Sequence, residues 1–145
     1  AEPGVRELRL MTPRGLSNPL YFHVGSWREV RETERGNDRE AMRLGELPVT
    51  VNGQILPGDV DRFRFSARRG ERLVVAASAR ELIPYLADAV PGWFQATVAL
   101  FDEEGKEVAH EDDFRFQPDP VLFYRITAYG QYELEIRDAI YAALG

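Results

Sequence analysis

Six oxygen-bearing side chains fall in two short stretches of this chain. Glu32, Glu34, Asn37 and Asp38 lie in one, and Asp59 and Asp61 in the other. Calcium takes roughly six to eight oxygen ligands, often carboxylates from separate segments. The residue types therefore fit a calcium site. They also fit a simpler arrangement, because Arg28, Arg31, Arg35 and Arg39 crowd the first stretch and can pair the same carboxylates. The local charge balance favours a solvated, ion-paired strap over the metal. Two further acidic clusters, Asp102-Glu103-Glu104 and Glu111-Asp112-Asp113, abut turns, where carboxylates commonly bond the backbone.

Other chemistry has thin material. The two histidines, His23 and His110, show no metal-ligand spacing. The four serines, Ser17, Ser26, Ser66 and Ser78, sit in no nucleophile elbow. A triad assembles in space rather than in sequence, so a hydrolase stays as the alternative to a non-catalytic module. The absence of cysteine excludes thiolate zinc sites and cysteine catalysis. A net charge of −6 opposes binding to a phosphate backbone. No apolar run approaches the roughly 20 residues of a spanning helix. Trp27, Tyr85, Trp93 and Phe94 could form an aromatic platform, although large aromatics more often pack.

The elements that must hold these residues read as strands. Between 49 and 55, Val49, Val51 and Ile55 alternate with polar residues, a period of two. Phe63 and Phe65 alternate with Arg62 and Arg64. Residues 73–79 run apolar on both parities, as a strand covered on both faces does. Further strands follow around Val98 and Leu100, around Leu122, Tyr124 and Ile126, and around Tyr132, Leu134 and Ile136. Turn signals separate them. The expected fold is all-β, an antiparallel jelly-roll-like β-sandwich. Its expected core is Val51, Ile55, Phe63, Phe65, Leu73, Val75, Val98, Leu100, Leu122, Ile126, Leu134 and Ile136. A chain of 145 residues supports one such domain. Residues 1–25 read as a strand hairpin, 26–47 as a charged strap or linker, and 48–145 as the sandwich. A short helix over 38–44, capped by Asn37 or Asp38, and a helical turn at 85–89 are also expected.

Four motifs in order carry a resemblance: the acidic strap ending at Asp38, VNGQILPGDVDRFRF (51–65) with GERLVV (70–75), ALFDEEGKEVAHEDD (99–113), and the closing Gly130-Gln131-Tyr132 strand. In these the chain resembles the bacterial pre-peptidase C-terminal domain, related to the collagen-binding modules of clostridial collagenases. Residues 1–25, through GVRELRLMTPRGLSNPLYFHVG, separately resemble the closing strands of an immunoglobulin-like module. The resemblance implies a non-catalytic accessory or adhesion module of a larger bacterial protein, secreted, periplasmic or at the cell surface. It implies neighbouring domains as partners, with extracellular protein or polysaccharide as ligand, or a purely structural linker role. It also implies the calcium ligands Glu32, Glu34, Asn37, Asp38, Asp59 and Asp61. Such sandwiches close with a strand beyond position 141. The N-terminal hairpin is expected to fill that edge within the same chain, with strand exchange between two copies as the alternative.

Overall fold

The computed structural model describes residues 2–32, 40–56, 58–79, 95–115 and 119–139. All regular structure there is β. In chain order the strands are β1 (Gly4–Leu8), β2 (Met11–Thr12), β3 (Gly15–Leu16), β4 (Leu20–Val24), β5 (Arg28–Arg31), β6 (Met42–Arg43) and β7 (Val49–Asn52). Then come β8 (Val60–Ala67), β9 (Arg72–Ala76), β10 (Ala96–Phe101), β11 (Glu107–Glu111), β12 (Val121–Arg125) and β13 (Gly130–Asp138).

One layer is a five-stranded sheet in the order β11-β10-β13-β8-β6. The alternation in β8 drives it. Phe63, Phe65 and Ala67 turn inward, and Arg62 and Arg64 turn out. On β13, Leu134 stands opposite Phe63 and Tyr132 opposite Phe65. On β10, Val98 and Leu100 are fully buried. The ribbons β9–β12 and β5–β7 supply the apolar groups that meet this face. Leu122 belongs to the buried cluster, and Leu73, Val75, Val49 and Val51 pack against it. A fully buried aliphatic side chain such as Leu122 contributes about 1.5–3 kcal/mol, and the half-buried ones less. All twelve residues expected in the core are buried or half-buried. Tyr132 stacks on Phe65 at 6.2 Å and donates its hydroxyl to the Ala128 carbonyl at 3.0 Å.

Turns obey local chemistry. Asp102 Oδ1 accepts from the backbone N–H groups of Glu104 and Lys106, and Gly105 adopts φ 76°. That left-handed position is where glycine is favoured.

Four expectations need correction. The helix over 38–44 is absent at its described end, where Met42–Arg43 is a strand running parallel to Phe63–Arg64. Short helices nucleate poorly. Tertiary bonds win instead: Leu44 N–H donates to the Arg64 carbonyl at 3.0 Å, and the Arg28 guanidinium to the Leu44 carbonyl at 2.8 Å. For the same reason residues 26–47 are not wholly an exposed strap, since they supply β5, β6 and the buried Ala41 and Leu44. The sandwich is also not purely antiparallel, because β5–β7 and β6–β8 pair in parallel. Finally, among the described residues the N-terminal hairpin fills no sheet edge: β1 and β4 pair with each other and with no described strand of the sandwich. Its Leu8, Leu20 and Phe22 stay exposed. The helical turn expected at 85–89 lies outside the described residues.

Candidate functional site

The oxygen constellation divides. Glu34, Asn37 and Asp38 lie outside the described residues. Glu32 follows β5, and its N–H donates to the Asn52 carbonyl at 2.9 Å. Its carboxylate lies over Gly53, in space that a Cβ at 53 would occupy. Asn52 Nδ2 donates to Glu29 Oε2 at 3.3 Å. Asp59 sits before β8, and its Oδ1 accepts from the Val60 N–H at 2.9 Å. Asp61 belongs to β8 itself. It shares the parity of Phe63 and Phe65, stands opposite Ile136 and is buried. Among the described residues no group of three acidic or histidine side chains converges to hold a metal ion. Glu32, Asp59 and Asp61 therefore do not fit calcium by themselves.

The outer face of the five-stranded sheet is a charge ladder. Arg62 stands opposite Glu135 and Arg64 opposite Glu133. Arg62 Nη2 reaches Glu135 Oε2 at 2.9 Å, and Arg64 Nη2 reaches Glu133 Oε2 at 2.6 Å. Arg137 adds a longer contact to Glu135 at 3.8 Å. Each carboxylate is held by a cation, so this array is structural support rather than acid–base machinery.

The two histidines stand apart. His23 lies on β4 opposite Val5, and His110 on β11 opposite Ala99, in separate sheets. Ser17 Oγ accepts from the Leu10 N–H and donates to the Asn18 carbonyl. Ser66 Oγ accepts from Gln131 Nε2 at 2.6 Å. Of the aromatic platform only Trp27 is described, and it is exposed. Tyr85, Trp93 and Phe94 lie outside the described residues.

The sequence reading missed the outer face of the β9–β12 ribbon. Strand β9 alternates exposed and half-buried, so residues 73–76 are not covered on both faces. Val74 is 57% exposed and faces Phe123, which is 60% exposed. One row along, Arg72 faces Arg125, both exposed. Phe114 packs on Phe123 with ring centroids 5.9 Å apart, and the Arg115 guanidinium lies 5.1 Å from the Phe114 centroid. The available signal was the arginine bracketing each run, Arg72 before Leu73 and Arg125 after Tyr124.

The class defined by fold and site is an all-β sandwich module with an ion-paired sheet face and an exposed basic–aromatic ribbon. No protein-family model matches the chain. It is similar to a probable subtilase-type serine protease of Deinococcus radiodurans, 32% identical over 80 residues. Those residues are 55% of this chain but 10% of that protein, so the matched stretch spans about a tenth of the relative's length.

Proposed function

We propose that the chain is a non-catalytic accessory module of a larger exported bacterial protein, of the pre-peptidase C-terminal kind, that binds an extracellular protein or polysaccharide while neighbouring domains carry any catalysis. The observation that carries this reading is the exposed Val74–Phe123 pair with Phe114 packed beside it. Apolar groups exposed together on an otherwise packed domain mark interaction surfaces. The likeness to a short stretch of a much longer protease supports the accessory role, and so does the engagement of Ser17 and Ser66 away from either histidine.

The test is an assay of the purified chain on casein, on nitrophenyl esters and on nitrophenyl glycosides. No turnover above a heat-denatured control is expected. Turnover that disappears in His110→Ala or His23→Ala would overturn the reading.

A further inference from the structure

We propose that the outer face of the β9–β12 ribbon docks an extended acidic segment of another protein chain, with a carboxylate and an apolar side chain two residues apart. This rests on the accessory-module reading and supplies the chemistry of its partner.

Arg72 and Arg125 stand directly opposite each other across the ribbon. Like charges placed directly opposite on a sheet destabilise it. On the five-stranded sheet the arginines stand opposite glutamates instead: Arg62 meets Glu135 and Arg64 meets Glu133. Among the described residues, Arg72 and Arg125 have no ion pair or hydrogen bond from their guanidinium groups. Two guanidinium groups bracketing one carboxylate would exchange that repulsion for charge-assisted hydrogen bonds.

The next row supplies the apolar half of the site. Val74 and Phe123 lie two residues along from the arginines on the same face. Two residues of extended chain span about 7 Å. An extended peptide aligned with the ribbon repeats its side chains on one face at that same interval. A carboxylate at one position and an aliphatic group two residues later would therefore meet both rows together.

Arg115 adds a third cation at the patch. It is the one non-glycine among the described residues with a positive φ, 52°. That conformation is uncommon outside glycine and asparagine, and strained backbone gathers at functional surfaces. Here it accompanies a guanidinium seated over Phe114, beside Phe123. An anionic sugar polymer would satisfy the arginines, but half of the apolar row is a valine, which offers a sugar ring no flat face for stacking.

The probe is a fluorescein-labelled, N-acetylated nonapeptide in which glutamate and valine alternate with threonine between them. Its binding to the whole chain is read by fluorescence polarisation. Saturable binding is expected, weaker at about 500 mM than at about 50 mM salt. Arg125→Gln and Phe123→Ser should each weaken it roughly tenfold. Arg125→Gln should also melt at the same or a higher temperature, since it removes the like-charge pair. A residue kept for folding would not behave so. The inference is overturned by no saturable binding, by equal binding of a lysine-for-glutamate peptide, or by binding that both variants leave unchanged. Polygalacturonate binding more tightly than the peptide, and lost in the same variants, would overturn the choice of a peptide partner. Turnover in the hydrolase assays would end the accessory reading while leaving these binding results standing.

Discussion

Arg62 and Glu135 face each other on β8 and β13, Nη2 2.9 Å from Oε2, and the Glu135 side chain is 11% exposed while Arg62 is 29% exposed. The neighbouring Arg64–Glu133 pair is shorter, at 2.6 Å, but Arg64 is 42% exposed. Burial, not distance, should rank them. Removing one partner of a sequestered pair strands the other charge, whereas exposed pairs contribute only about 0–1 kcal/mol. Arg62→Ala should cost about 1–2 kcal/mol, and Arg64→Ala distinctly less. Urea unfolding of both variants checks this, and the reverse order would show that the ladder's stability does not follow burial.

Leu122 has no exposed surface, and Leu20 on the hairpin strand β4 is 65% exposed. Leu122→Ala should cost about 2–5 kcal/mol, the range for emptying a packed aliphatic site. Leu20→Ala should stay within about 0.5 kcal/mol. Deleting residues 1–25 should likewise leave the sandwich transition where it is, because among the described residues β1 and β4 pair only with each other. A thermal melt of the shortened chain that drops by several degrees would show that the hairpin supports the core after all.

Tyr132 combines burial with one hydrogen bond, its hydroxyl to the Ala128 carbonyl at 3.0 Å. Tyr132→Phe keeps the stacking on Phe65 and removes that bond, leaving the carbonyl to solvent. A loss of about 1 kcal/mol is expected in chemical denaturation. No loss would mean that the hydroxyl is equally satisfied in the unfolded chain.

Calcium distinguishes the two readings of the acidic stretch. Among the described residues Glu32, Asp59 and Asp61 do not converge on a common centre. The Tm should be the same in millimolar calcium and in chelator. A ligand specific to the folded state adds about 2.7 kcal/mol at a hundredfold excess over Kd. A rise of several degrees that chelator reverses would therefore show that the folded chain binds calcium.

Period-two alternation made the strands legible before any coordinates. Phe63 and Phe65 against Arg62 and Arg64, and Leu134 and Ile136 against Glu133 and Glu135, declare which side of each strand is apolar. Gly105 after an acidic run declared a turn because few other residues tolerate its φ. The all-β class and the core followed from those local rules. Tertiary structure decided whatever depended on a partner distant in sequence. Met42–Arg43 is a strand because Phe63–Arg64 lies beside it, and Asp61 is buried because its parity places it behind Phe63. The apolar run after Arg72 could not say whether one face or two were covered, since alternation reports the polarity of a face and not the presence of a second layer. Arg72 meets Arg125 only through the register of two strands far apart in the chain. That pairing is invisible to any local rule, and it is what sets the exposed ribbon apart.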